Sequence, residues 1–152
     1  LNVTDGETNH SGIELTASLS VLNNLRFLAN YAYAKHEYDF DRLSSGVVNG
    51  NEIDTAPRQQ GNARLEWQPT SATNLALEWQ HIGSYFLDPA NAGHDLFNIR
   101  AHWQINEQIR LNAKLENVFD EEYASRADYA FGSYRYFGGQ PRAVYLGANY
   151  AF

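Results

Sequence analysis

Apolar and polar residues alternate along most of the chain. Ile13, Leu15, Ala17, Leu19 and Val21 share one parity, against Glu14, Thr16, Ser18 and Ser20 on the other. Successive side chains of a strand point to opposite faces, so a period of two predicts a β-strand with one apolar face. The pattern returns six times. Leu25, Phe27, Ala29, Tyr31 and Tyr33 define a second strand that fades near Tyr38. After Pro57 a third places Ala63, Leu65 and Trp67 opposite Asn62, Arg64 and Glu66. The fourth sets Leu75, Leu77, Trp79 and His81 against Ala76 and Glu78, and runs out near Phe86. The fifth sets Phe97, Ile99, Ala101 and Trp103 against Asn98, Arg100 and His102. The sixth carries Ile109, Leu111, Ala113 and Leu115 opposite Arg110, Asn112, Lys114 and Glu116. The seventh is the terminal stretch, Pro141 to Phe152, with Val144, Leu146, Ala148, Tyr150 and Phe152 in phase.

The connections alternate in length. They are short at Asn23-Asn24, Pro69 to Thr73 and Asn106-Glu107, and longer at Asp39 to Ala56, Leu87 to Gly93 and after Asn117. Antiparallel strands put successive connections at opposite ends, so one rim has tight turns and the other longer loops. This predicts an all-β, antiparallel, up-and-down arrangement of about seven strands, the layout of a transmembrane β-barrel. The apolar-face positions named above contain no Asp, Glu, Lys or Arg. Alternation alone leaves open whether that face meets lipid or a core. Trp67, Trp103 and Phe152 fall near the short-turn rim and Tyr33, Tyr85 and Phe86 near the other, with Trp79 further in. Two aromatic belts around an aliphatic middle suit a membrane with its two interfaces. Strands of about ten to thirteen residues suit its thickness. A soluble β-barrel or sandwich binding small ligands gives the same pattern inside out. A small complete outer-membrane barrel is a third reading, awkward with an odd strand number.

Composition narrows the choice. The 152 residues contain no Met and begin at Leu1 in a polar stretch, so a fragment of a longer chain is expected. The absence of Cys excludes a disulfide framework and thiolate metal sites. A net charge of −7 argues against nucleic acid as a partner. No run of about 18 apolar residues offers a transmembrane helix. The mean hydropathy of −0.51 suggests solubility. That inference is unsafe, because membrane strands spend half their residues on a polar lumen.

No catalytic pattern is present: no G-x-S-x-G, no H-E-x-x-H, no phosphate loop, and nothing that calls for a cofactor. His36, Tyr38, Asp39 and Asp41 have the chemistry of a hard-cation site but read better as a solvated loop, as do Asp88 and His94-Asp95, so no metal site is expected. Arg64, Glu66, Glu78, Arg100, Lys114 and Glu116 share the polar parity and predict ion-pair ladders. Asn117 and Asp120 are expected to stop a strand, and Gly147 to admit a close neighbour in the sheet.

Asn117-Val118-Phe119-Asp120-Glu121-Glu122-Tyr123 resembles the Asn-Leu-Phe-Asp-x-x-Tyr motif on the penultimate strand of TonB-dependent outer-membrane receptors. Gly139-Gln140-Pro141-Arg142, with Gly147 after it, resembles the Gly-x-Pro-Arg run that opens their last strand. Ala56-Pro57-Arg58 followed by Asn62 is similar to a strand opening of siderophore receptors, although Gln59 or Gln60 stands where His is common. The resemblance implies the C-terminal part of a 22-stranded barrel, residues 1–152 forming a single partial domain without the N-terminal plug. It implies an active-transport receptor in the bacterial outer membrane and no enzyme activity. Its expected partners are membrane lipid, a ferric siderophore or similar ligand, and the TonB complex through an N-terminal region outside this chain. Haem, cobalamin and oligosaccharide receptors share these strands, so the ligand stays open. Val144, Leu146, Tyr150 and Phe152 would form the signal read by the barrel assembly machinery, with the C-terminus periplasmic. Arg126, Tyr129, Tyr134, Arg135 and Tyr136 suit an anionic, ring-bearing ligand at an extracellular loop, by charge-assisted hydrogen bonds and stacking. The alternative is that these rings pack the loop itself.

Overall fold

The alternating stretches fold as long antiparallel strands in the computed structural model, which describes residues 6–53, 55–85 and 93–152, without the side chains of Ser45 and Tyr129. The strands are β1 (Thr8–Leu22), β2 (Leu25–Tyr38), β3 (Gln59–Thr70), β4 (Thr73–Gly83), β5 (Gly93–Gln104), β6 (Ile109–Glu116), β7 (Ala124–Ala130), β8 (Ser133–Gly138) and β9 (Ala143–Tyr150). Seven form one sheet in the order β1-β2-β3-β4-β5-β6-β9, every neighbour antiparallel. The sheet is open, with β1 and β9 at its edges. The described residues contain no α-helix, only a 3-10 turn at Leu43–Ser45.

Three expectations change. The stretch after Asn117, read from sequence as one loop, contains the hairpin β7-β8, a sheet of its own. Its two-residue turn has φ of 54° at Phe131 and 79° at Gly132. Positive φ at both central positions matches the right-handed twist of the flanking strands. The terminal strand starts at Ala143 and ends at Tyr150, although Ala151 N–H still donates to Gln108 O at 2.9 Å. The long connection after β2 is folded back rather than free: Tyr38 N–H donates to Asn51 O at 2.9 Å and Ile53 N–H to His36 O at 3.0 Å. Phe86 and the Asp88-Pro89 turn lie outside the described residues.

Register carries the parity across the sheet. Leu19, Phe27, Leu65, Leu77, Ile99, Leu115 and Val144 form one unbroken apolar row. Next to it, on the other face, run Ser20, Arg26, Glu66, Ala76, Arg100, Lys114 and Tyr145. Burial is inverted relative to a soluble protein. Ile13 is 67% exposed and Leu146 81%, whereas Glu78 and Asn98, on the polar face, are 6% and 7% exposed. A soluble sandwich or barrel would enclose the aliphatic parity, and among the described residues nothing covers it. The same face turns polar toward the long-loop rim, where Lys35 pairs with Glu37 at 2.6 Å and Asp95 accepts from Trp79 Nε1 at 2.7 Å and His81 Nδ1 at 2.9 Å.

An open sheet with two free edges and an uncovered apolar face should self-associate in water. The isolated chain is expected to aggregate in plain buffer and to disperse in detergent micelles, as read by size-exclusion with light scattering. A folded monomer in detergent-free buffer would contradict the exposed-face arrangement.

Candidate functional site

Chemically distinctive residues gather in two places: the wall of the polar face, and the long-loop rim where β6 leads into the β7-β8 hairpin and back to β9.

On the wall, the predicted ladder is present. Arg100 Nε donates to Glu78 Oε2 at 2.9 Å, Arg64 Nη2 lies 2.5 Å from Glu78 Oε1, and Arg64 Nη1 lies 3.4 Å from Glu66 Oε1. Lys114 pairs with Glu116. Both oxygens of Glu78 are therefore met by a guanidinium, Oε1 by Arg64 and Oε2 by Arg100. Arg26 is held by Ser18 Oγ at 3.2 Å. Together Arg26, Arg64, Glu66, Arg100 and His102 line a shallow groove toward the short-turn rim.

At the rim, β6 ends at a buried asparagine. Asn117 takes φ 49° and is 3% exposed. Its backbone N–H donates to Asn98 Oδ1 at 2.9 Å on β5, and its Nδ2 donates to Glu121 O at 2.9 Å and Gln140 O at 3.1 Å. Its Oδ1 accepts from Glu121 N–H at 2.8 Å. One side chain therefore ties the exit of β6 to the entry of β9. Asp120, at φ 58°, adds a second tie by accepting from Arg142 N–H at 2.8 Å. Tyr123 supplies a third. Its ring lies over Gly139, where an added Cβ would come within 2.2 Å of the ring, and it meets His94 with centroids 4.4 Å apart. Phe119 packs edge-on against Phe97 at 5.3 Å. Asn117 and Asp120 thus stop the strand and shape the turn as expected. Gly147 does not have the close neighbour expected of it: a Cβ there would be 3.9 Å from Asn112 Nδ2, an ordinary contact.

Above this clasp stands the hairpin. Register places Arg126, Phe137, Asp128 and Arg135 on one face, and Tyr136, Tyr134 and the position of Tyr129 on the other. The two arginines converge on Asp128. Arg135 binds it through Nε and Nη2 at 2.7 and 2.9 Å, and Arg126 through Nη2 at 2.7 Å. Arg126 also lies 4.9 Å from the Phe137 ring centroid, and Arg135 lies 5.9 Å from that of Phe131. The arginines and the tyrosines singled out from sequence therefore stand on opposite faces. The Tyr129 side chain is outside the described ones. Hydrogen bonding to Arg135 first, then to Arg126, holds the Asp128 carboxyl below its usual range, and the same contact raises Arg135. Sequence reasoning did not single out Asp128 or the Tyr123–Gly139 stack. The signal for Asp128 was an acid flanked at strand spacing by Arg126 and facing Arg135 across a Gly turn.

His36 does not join Tyr38, Asp39 and Asp41 in a cluster. Asp39 and Asp41 instead each accept from Asn49, at 3.1 and 2.9 Å, and order the loop.

Residues 1–118 match the sequence model of the "TonB dependent receptor-like, beta-barrel" family. The ferric-pyoverdine BN7/BN8 receptor of Pseudomonas putida is 25% identical over 151 residues, which is 96% of this chain and 17% of that protein. The chain therefore spans about a sixth of the length of that relative. The ferric yersiniabactin uptake receptor FyuA of Yersinia pestis superposes with a TM-score of 0.80 at 18% identity, over 97% of this chain and 24% of that one. The ferric-catecholate import receptor Fiu of E. coli K12, in its closed form, gives 0.78 at 20% identity, over 97% and 21%.

Replacing Asn117 by Ala removes three side-chain hydrogen bonds, each worth about 1 kcal/mol net. It also puts a Cβ-bearing residue with no polar side chain at positive φ, at a further cost of about 1 kcal/mol. The expected local loss is about 4 kcal/mol, read as faster hydrogen exchange in the β7-β8 hairpin with β2-β3 unchanged. Gly139→Ala should have the same signature and be relieved by adding Tyr123→Ala; wild-type exchange in Gly139→Ala would contradict the clasp. A depressed carboxyl contributes stability that is fully present above its unfolded pKa and disappears as pH falls through the folded value. Hairpin protection, taken relative to the intrinsic exchange rate at each pH, should therefore be flat from neutrality to about pH 5 and fall below about pH 4, a fall absent in Asp128→Asn. Loosening between pH 6 and 8 would show that another group controls the hairpin.

Proposed function

The chain belongs to the TonB dependent receptor-like β-barrel family, and from that premise we propose that it forms the last strands of the wall of an outer-membrane receptor. That receptor takes up a scarce ligand, a ferric siderophore or a comparable iron complex, in a step coupled to TonB. The observation that carries this reading is the inside-out sheet, apolar where it is exposed and polar where it is crowded. On β2 the apolar parity runs uncharged from Leu25 to Tyr33 and becomes charged at Lys35. Eight residue steps of about 3.4 Å, tilted by about 40°, give a band about 21 Å tall, near the roughly 25 Å of outer-membrane barrels. Trp67 and Trp103 at one side and Tyr33 at the other sit at the heights of the two interfaces. The polar face then lines the lumen, and its ladder of Arg64, Glu78 and Arg100 meets water or the plug.

The iron-complex part of the reading draws on the relatives, several of which carry ferric ligands in their names. The hairpin would be extracellular, with Arg126, Tyr129, Tyr134, Arg135 and Tyr136 as ligand contacts. Its arginine face keeps one net positive charge, two guanidiniums against Asp128. The opposite face offers phenol rings. β9 runs toward the short-turn rim, so Phe152 would be periplasmic. Val144, Leu146, Tyr150 and Phe152 would face lipid and serve as the signal for the assembly machinery. No covalent step is required of any residue.

The test is uptake of radioactive iron, supplied as ferric pyoverdine, a ferric catecholate or ferric citrate, by iron-limited cells with and without the gene that encodes this chain. Uptake of at least one complex should depend on the gene and on TonB. Independence of all three would remove the iron reading. With the responsive complex, Arg126→Ala plus Arg135→Ala should lower uptake about tenfold or more, from the 1.5–3 kcal/mol of a charge-assisted hydrogen bond, at unchanged receptor amount. Phe152→Ser should lower the amount assembled and leave uptake per receptor unchanged.

A further inference from the structure

We propose that His10 and His36 form a two-nitrogen binding site for a divalent transition-metal ion, copper(II) foremost, on the polar face at the long-loop rim. The two residues are direct partners in the β1-β2 register. Asp39 N–H donates to Glu7 O, so the hydrogen-bonded pairs of this ladder fall on the odd positions of β1, and His10 and His36 form a non-hydrogen-bonded pair. Such pairs bring side chains closest together. The rings meet Nδ1 to Nδ1 at 2.7 Å, with centroids 5.0 Å apart. Metal–imidazole bonds of about 2.0–2.1 Å place two adjacent nitrogens of a square-planar ion about 2.9 Å apart. The pair need open only by a few tenths of an ångström.

The outer contact is also in place. His10 Nε2 lies 2.9 Å from Thr8 Oγ1. With the proton on Nε2, that contact becomes a donated hydrogen bond that turns the Nδ1 lone pair toward His36, the tautomer control seen around metal-binding imidazoles. Without metal, one Nδ1–H donates to the other Nδ1. On binding, that proton moves to the same ring's Nε2 and both lone pairs face the ion, with no net proton change. The next cross-strand pair down the same face is Gly12 and Ala34, which adds no long side chain beside the imidazoles, so the ion's remaining ligands would be water or donor atoms of an incoming molecule. Imidazole nitrogens in a tetragonal arrangement favour copper(II), which also heads the affinity order of the divalent ions. The site depends on strand geometry alone and stands apart from the iron-uptake reading.

The test is titration of copper(II) chloride into the detergent-purified full-length receptor that contains this chain, followed by calorimetry, with electron paramagnetic resonance on the loaded protein. The expected result is an ion bound with hyperfine coupling to two nitrogens, and affinity at least tenfold weaker in His10→Gln and in His36→Gln. His102→Gln, on the same face far from the pair, should bind as the parent does. Variants that keep the heat-modifiable barrel form on gels yet bind copper(II) like the parent would overturn the proposal. A spectrum from the parent protein with fewer than two coupled nitrogens would overturn it independently of any variant.

Discussion

In an antiparallel sheet a slip of one residue turns every side chain of a strand to the opposite face. Across the six interfaces between β1 and β9 the parity never slips within the span, and the row from Leu19 to Val144 stays apolar throughout. The register irregularities of the large sheet fall between Ser20 and Leu22 and between Trp67 and Thr70, beside the tight turns. There a bulge adjusts the turn without carrying a polar residue into the band. Everything else described for this molecule presupposes that register: the ladder on one face, the belts on the other, and the meeting of His10 with His36.

The polar face holds what this sheet has of an interior. Glu78 is nearly buried, and the guanidiniums of Arg64 and Arg100, both about half exposed, lie on either side of it. Withdrawing a carboxylate from water costs several kcal/mol unless partners replace its hydration. Two cations supply that replacement while their outer edges stay in solvent. The wall can therefore crowd charged side chains without an apolar core, a distribution consistent with water or a second polar surface on that side.

Much of this was legible in the sequence, but unevenly. The rows of β1 to β6 and β9 follow from a period of two, because period is a local property of the chain. Periodicity could not say what the apolar face meets, since lipid and core impose the same alternation; the exposure of Ile13 and Leu146 with Glu78 buried shows that the described residues leave it uncovered. The β7-β8 hairpin was missed because Phe131 occupies a turn position with positive φ that usually belongs to Asn, Asp or Gly. The close approach expected at Gly147 occurs instead at Gly139, and the reason is tertiary: Tyr123 reaches across from the other connection to lie on it. Asn117 was readable as a stop signal, whereas its bonds to Asn98, Glu121 and Gln140 belong to three different segments and leave no trace in spacing.

The clasp and the hairpin divide the rim into two kinds of structure. The clasp is fixed by directional bonds: the Asn117 amide has its donors and its acceptor engaged, and Asp120 is bound to the first residues of the returning chain. The hairpin shares no ladder with the large sheet, and its internal order rests on cross-strand pairs around Asp128. Its attachment to the wall therefore runs through the segments 117–123 and 138–142. A base held by directional bonds with a separately folded tip sets the guanidinium face and the phenol face of the hairpin on opposite sides of one small sheet beyond the end of β6. The run Asn117 to Tyr123, which resembles a receptor motif, is in physical terms the specification of that base.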